Sequence, residues 1–256
     1  MPVPVDLNVD TLQPDLSQIE LITNEKTVAC LFAMIYGVSY DLAPYATFLH
    51  SRGIEILEDC AQSWQGLDSF RGSPVAVMTM FSFGTIKHNT CFYGAVTIVR
   101  ENAQYQQLSE SRDLCKQMRA LQDAYPVYSY EDYRSKILKC MLIKRLVTGK
   151  YFVSASLKYF AWRQIDFEDY LISKIRGFAT DPSNYLSKFR IQPNAPLLKM
   201  IYEKQRNYDK KIHAQRIRNF KRMTSALQEA GYFVPGSGAP ATRSYWLYPF
   251  PVQNKL

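Results

Sequence analysis

Between Glu58 and Lys87 the chain gathers an acid, an amide, a hydroxyl and an amine within thirty residues. The stretch reads Glu58-Asp59-Cys60-Ala61-Gln62, then a loop carrying Arg71-Gly72, then Phe81-Ser82-Phe83-Gly84-Thr85-Ile86-Lys87. An acid at the end of a buried strand is costly unless it is paired. A hydroxyl and an amide orient oxygens, and an amine whose pKa falls on partial burial serves as nucleophile or base. Each group ends an apolar run: Ile54, Ile56 and Leu57 lead into Glu58-Asp59, and the run from Val75 to Phe83 carries Ser82 and leads on to Lys87. Such runs are strands or buried helix; their shortness and their Gly and Pro boundaries favour buried strands. Two neighbouring strands of one sheet would bring all four groups to one edge, which is where α/β proteins place their chemistry.

The other elements must position that edge. Val3-Pro4-Val5-Asp6-Leu7 reads as a first strand. Thr27 to Tyr36 is apolar almost throughout and fits a central strand, with its core at Val28–Tyr36. Asp41 to Arg52 carries Leu42, Tyr45, Ala46 and Leu49 at helical spacing, with Gly53 suited to the C′ position. Ile54–Asp59, Val77–Phe83 and Gly94–Val99 complete the strands, and the alternation with helices predicts an α/β core over 1–122 with right-handed crossovers. Ala103 to Leu121 reads as an amphipathic helix. A helical pair broken at Thr148-Gly149 follows, and then one long helix from Leu197 to Leu227. Arg243 to Phe250 reads as a strand.

Composition sets the outer bounds. The chain has 256 residues, 47% apolar and 21% charged, ordinary for a globular protein. Its net charge of +8 admits anionic partners, but the basic residues concentrate after Arg134, which marks a solvated surface rather than a nucleic-acid footprint. Five scattered cysteines, Cys30, Cys60, Cys91, Cys115 and Cys140, show no Cys-x-x-Cys spacing, so neither a zinc site nor a disulfide framework is indicated and a cytoplasmic setting with reduced thiols fits. No apolar run reaches the roughly 18–20 residues of a membrane span. From Lys136 to Arg163 basic and aliphatic residues interleave as in membrane-surface helices; a helical excursion packed on the protein's own surface is the preferred reading.

Glu58-Asp59-x-Ala61-Gln62, then Phe81-Ser82-Phe83-x-x-x-Lys87, then Gly94-Ala95-Val96 resembles the DegT/StrS-type sugar aminotransferases, with the motifs in family order from about Val3 to Arg100. These are enzymes of pyridoxal 5'-phosphate (PLP) with fold type I. The resemblance implies a three-layer large domain with a mixed, mostly parallel sheet over 1–122, a helical excursion over 123–196, and a long linking helix with the start of a small α/β domain over 197–256. It implies Lys87 as the Schiff-base lysine and proton shuttle, Asp59 as partner of the pyridine nitrogen, Gln62 on the ring hydroxyl, Ala61 on the ring face and Ser82 on the phosphate. Glu58, by strand alternation, points to the other face. A lysine here rather than a histidine implies transaminases rather than the related dehydratases. The implied substrate is a keto-sugar nucleotide with glutamate or glutamine as amino donor, and the implied assembly is a homodimer.

The resemblance has departures. Tyr93 stands where the family has glycine, and Asn194 falls out of register with the asparagine that reaches a neighbouring subunit's phosphate, so Arg190 and Asn194 receive no role. His88 reads as a bystander, and His50 and His213 have no partner spacing. In the family a region holding the cofactor phosphate and a ring-stacking aromatic precedes the equivalent of Val3. The chain therefore reads as truncated at both ends; if it is the whole protein, weak PLP binding and little or no turnover are expected. The alternative reading is a catalytically impaired relative that serves as a binding or oligomer-interface protein.

Overall fold

The computed structural model describes residues 1–100, 111–148, 150–166, 189–238 and 242–250. In chain order these form α1 (Leu16–Ile22), β1 (Ala29–Ala33), β2 (Val38–Ser39), α2 (Ala43–Ser51), β3 (Glu55–Asp59), β4 (Met78–Ser82) and β5 (Ala95–Val99). There follow α3 (Ser111–Asp123), α4 (Tyr130–Thr148), α5 (Lys150–Trp162), α6 (Ala195–Arg206), α7 (Lys210–Glu229) and β6 (Thr242–Arg243).

The main sheet has the order β1-β3-β4-β5. β1 and β3 run parallel, as do β3 and β4, and β5 returns antiparallel to β4. The α/β expectation and the mixed, mostly parallel sheet are thus observed. Register decides which side chains share a face. Phe32 lies opposite Glu58 and Glu58 opposite Thr79, so Phe32, Ile56, Glu58, Thr79 and Phe81 form one face, and all five are buried. Tyr45 of α2 packs its ring 5.0 Å from Phe32, and Trp64 sets its edge against Phe81 and Phe83 at 5.0 and 5.4 Å. Burying such side chains supplies most of the drive to fold. The opposite face carries Leu31, Leu57, Asp59, Met78, Met80 and Ser82. It is more open, and Leu31 is 64% exposed.

The four central strands lie where the apolar runs place them, each shorter by one or more residues. Four expectations are corrected. Val3–Leu7 forms no strand; only Leu7 bridges, antiparallel to Pro14, because Pro2 and Pro4 lack the N–H that a ladder needs. The run from Val28 ends its strand at Ala33, and Ile35–Gly37 makes a tight 3-10 turn with Tyr36 at φ 55°. The single helix over Leu197–Leu227 is two helices. Asn207 ends α6, and the Asp209 carboxylate begins α7 by accepting the N–H groups of Lys211 and Ile212. Of Arg243–Phe250, only Thr242–Arg243 is strand, antiparallel to β2.

The helix expected over Ala103–Leu121 falls partly outside the described residues; its described portion is α3, which runs on to Asp123. The helical pair flanking residue 149 is present as α4 and α5. No helix among the described residues is long and apolar enough to cross a membrane.

Candidate active site

Asp59 is the last residue of β3 and Ser82 the last of β4. The parallel register sets Asp59 opposite Met80, and alternation then puts Asp59, Met80 and Ser82 on one face at one end of the sheet. Each side chain is held by the turn that follows it. Asp59 Oδ1 accepts the N–H of Ala61 at 2.9 Å, an Asx turn that fixes the carboxylate at the strand end. Ser82 Oγ accepts the N–H of Gly84 at 3.4 Å. Lys87 lies in the same turn, its N–H donating to the Gly84 carbonyl at 3.0 Å, and its side chain is half-buried.

Gln62 reaches across the edge to the neighbouring loop. Its Oε1 accepts the Tyr36 N–H at 2.7 Å, which leaves the amide NH2 as the group it can offer a ligand. Its backbone carbonyl accepts the Ser244 hydroxyl at 2.5 Å. Ala61 is half-buried in the turn between Asp59 and Gln62.

The neighbours that sequence leaves open are placed as follows. Glu58 turns to the buried face, as alternation requires: its Oε2 accepts the Thr79 hydroxyl at 2.6 Å and the Ser73 N–H at 2.8 Å. Burial raises its pKa, and the Thr79 and Ser73 hydrogen bonds and the Arg100 charge pull it partly back. Tyr93 packs on Tyr128 at 4.9 Å with Lys136 Nζ 4.5 Å above its ring, so it ties the sheet to α4. Asn194 caps α6, and Arg190 is exposed. His88 Nε2 lies 3.1 Å from the Trp64 carbonyl, and burial together with Arg216 and His213 pushes its pKa down to about 4.

Two residues of the edge escape sequence reasoning. Trp246 lays its ring 4.0 Å from Lys87 Nζ, and its Nε1 donates to the Ile86 carbonyl at 3.4 Å. Ser244 donates to Gln62. Both lie more than 150 residues downstream of their partners, and no local pattern announces such a contact. Beside this edge opens a cleft of about 500 Å³ that reaches from His88 to Arg216, and none of Asp59, Ala61, Gln62, Ser82 and Lys87 lines it.

The donor set suits PLP on this structure's own terms. A half-buried carboxylate and a hydroxyl end the adjacent strands β3 and β4, a lysine follows in the turn after β4, and an amide whose oxygen is taken by the Tyr36 N–H sits in the turn after β3. These are the functions that a protonated pyridine, a phosphate, an aldehyde carbon and a phenolate oxygen require.

Comparison with known proteins bears on the whole edge. The structure of Escherichia coli GDP-4-keto-6-deoxy-D-mannose-3-dehydratase with bound hydrated PLP superposes with a TM-score of 0.52 at 15% identity, covering 98% of this chain and 54% of that one. It shows the fold. The aminotransferase TlmJ from Streptoalloteichus hindustanus matches at 23% identity and TM-score 0.35, over 44% of this chain and 30% of its own. AtS13 from Actinomadura melliaura matches at 28% and 0.33, over 43% and 31%. The chain thus spans between about a third and about half of the length of these structures. Residues 1–129, which contain every strand of the main sheet and all five candidate residues, match the pattern of one family. The chain belongs to the DegT/DnrJ/EryC1/StrS aminotransferase family.

Proposed function

We propose that this chain carries the catalytic edge of a PLP-dependent transaminase that acts on keto-sugar nucleotides, with glutamate or glutamine as amino donor. One observation carries the reading: Asp59 and Ser82 share a face and an end of adjacent parallel strands, and Lys87 follows in the turn that Ser82 opens, in a chain of this family. Lys87 rather than histidine at that position supports transamination over dehydration.

Asp59 would hold the pyridine nitrogen in its protonated form, which its turn-fixed carboxylate can do without reorganising. Gln62 would donate its amide N–H to the ring oxygen, because its own oxygen is committed to Tyr36. Ser82 would donate its hydroxyl to a phosphate oxygen, and Ala61, lacking a bulky side chain, would leave the ring face open. The bound cofactor would supply an electron sink for the substrate carbon that loses its proton. Lys87 Nζ would take and return that proton, so it must be neutral for part of the cycle. The Trp246 ring, 4.0 Å from Nζ, holds that amine against the turn. The reading extends to a homodimer working in the cytoplasm. Its supports are the family resemblance and five unpaired cysteines.

The test is an absorbance titration of the purified protein with PLP. A band near ~420 nm should form and should vanish in Lys87→Ala, as expected when the cofactor is held through its lysine. A band that persists in Lys87→Ala, or that never forms, removes Lys87 from this role and favours the non-catalytic alternative. Glutamate-dependent conversion of the band is the second readout.

A further inference from the structure

Helix α4 is moored to the body at one end and bare along one side. Tyr133 is buried, and its hydroxyl donates to the Cys91 carbonyl at 2.9 Å. Ile137 and Cys140 continue that side at helical spacing, half-buried. The other side carries Leu138, Met141 and Leu142 at i, i+3 and i+4, each more than half exposed. Arg134 and Arg145 extend this row by one turn at either end, and Lys139 and Lys144 stand on its flanks; all four are exposed. Helix α5 packs on α4. At its end Trp162 is 74% exposed, with the Tyr159 ring 6.1 Å away and Lys158 exposed one turn earlier.

The charge on this pair is of one sign. From Tyr133 to Ile165 the sequence has eight Lys and Arg residues and no Asp or Glu. The whole chain has 31 basic and 23 acidic residues, so this stretch accounts for its entire net charge of +8 and the remainder is balanced. The acids nearest on the amino side, Glu131 and Asp132, lie in the first turn of α4, where they suit the helix N-terminus. The family match ends at residue 129 and α4 begins at Tyr130, so the pair stands outside the matched part. The expectation that this excursion packs on the protein's own surface holds at Tyr133 and fails along the row, which faces solvent.

We propose that α4 and the end of α5 dock on an anionic lipid bilayer, with Leu138, Met141 and Leu142 entering the headgroup boundary and the surrounding Arg and Lys side chains pairing with lipid phosphates and carboxylates. Exposed apolar rows rimmed by polar groups mark interaction sites, and the sign and order of the groups select the partner. A nucleic acid would engage the cations and leave the apolar row bare. A protein interface complements charge with charge, and a second copy would set like charge against like. A leaflet rich in anionic lipid offers one sign of charge over an apolar interior, which is the match for an apolar row flanked by cations. The long Lys and Arg stems reach outward past such a row to the headgroups. Trp162 and Tyr159 are of the type that settles where an apolar layer meets water. No described helix is long and apolar enough to cross a membrane, so the contact is peripheral. The inference does not rest on the transaminase reading, since none of Asp59, Ala61, Gln62, Ser82 and Lys87 lies on α4 or α5.

The experiment is co-sedimentation of the full chain with two kinds of vesicle, phosphatidylcholine alone and phosphatidylcholine carrying about one-third phosphatidylserine, whose surface potential attracts basic segments. Binding should be at least about tenfold tighter to the anionic vesicles and should weaken as salt rises. Arg134→Gln combined with Lys139→Gln should weaken it by about tenfold or more. Leu138→Ser combined with Leu142→Ser should weaken it severalfold at low and high salt alike. All four positions are exposed, so both variants should melt with the parent. The emission of Trp162, assigned by its loss in Trp162→Phe, should shift to the blue on the anionic vesicles. If a variant melts early, this shift in the unaltered protein still decides. Equal binding to both vesicles, binding that survives both pairs of substitutions, or saturable binding with unmoved Trp162 emission would each overturn the proposal. Duplex DNA that binds as tightly as the anionic vesicles would overturn it in favour of a nucleic-acid surface. If the parent ignores the vesicles and the Leu138→Ser, Leu142→Ser pair disperses a self-associated form, the row is an interface between copies and the proposal is wrong.

Discussion

At Glu58 the chain buries a carboxylate, only 2% exposed, one residue before the carboxylate that faces the candidate site. Alternation separates the two: Glu58 enters the buried face with Thr79 and Ser73 as donors, while Asp59 is held at the strand end by Ala61. Arg100 completes the buried group by donating to Thr79 Oγ1 at 2.7 Å. Since burial raises the Glu58 pKa, the folded state holds more protons than the unfolded chain between the two pKa values. The stability from this group is therefore full below the ordinary carboxylate range and is lost as pH rises through the raised folded value. Melting temperature followed across that window should decline in the parent and decline less in Glu58→Gln; identical slopes would refute the assignment. Thr79→Val leaves a buried acceptor with one donor fewer and should cost about 1–3 kcal/mol in a denaturant titration.

Helix α6 shows how one side chain sets an element and its neighbour together. Asn194 is buried, and its side-chain oxygen accepts the Leu197 N–H at 2.9 Å while its NH2 donates to the Tyr128 carbonyl at 3.0 Å. It thus caps α6 and anchors the loop before α4. Asn194→Ala loses both functions and should cost about 1.5–3 kcal/mol, whereas Asn194→Asp keeps the cap and should cost less. Thermal unfolding of the two variants checks the order, and an Asp variant as unstable as Ala would show that the cap contributes nothing. The same elements mark how far sequence reaches. Central strands are legible because their apolar runs are short, two-sided and punctuated by Gly and Pro, so burial and strand period agree. The α6–α7 break is not, because Leu197, Ile201, Tyr208 and Ile212 continue a helical spacing while Asp209 competes for the backbone through a cap. The candidate site is legible where chemistry follows strand ends, as at Asp59, Ser82 and Lys87. Trp246 and the Gln62–Tyr36 hydrogen bond depend on tertiary contacts that no local pattern encodes.

At the scale of the molecule, the segment from Thr242 to Trp246 joins the three loops that end β1, β3 and β4. It pairs with β2 through Thr242–Arg243, Ser244 N–H donates to the Gly37 carbonyl at 2.8 Å, Ser244 Oγ donates to Gln62, and Trp246 meets Ile86 and Lys87. Gly37 makes this seam possible. Its φ of 79° is one that L side chains rarely adopt, and a Cβ there would run into Ser244 Oγ and come within 2.8 Å of the Gln62 carbonyl. Gly37→Ala should therefore open the seam, with about 1–2 kcal/mol from the left-handed backbone alone and more from the lost Ser244 hydrogen bonds. Since each 1.4 kcal/mol is about tenfold in an equilibrium, the Ser244 amide should exchange its hydrogen about 10- to 100-fold faster. The amides of Ile56 and Phe81, inside the main sheet, should keep their protection. The Lys87 amine, relieved of the Trp246 ring, should react faster with an acylating reagent. Unchanged exchange at Ser244, or equal loss at Ile56 and Phe81, would show that the segment is not a separate closure over the site but part of one cooperative unit.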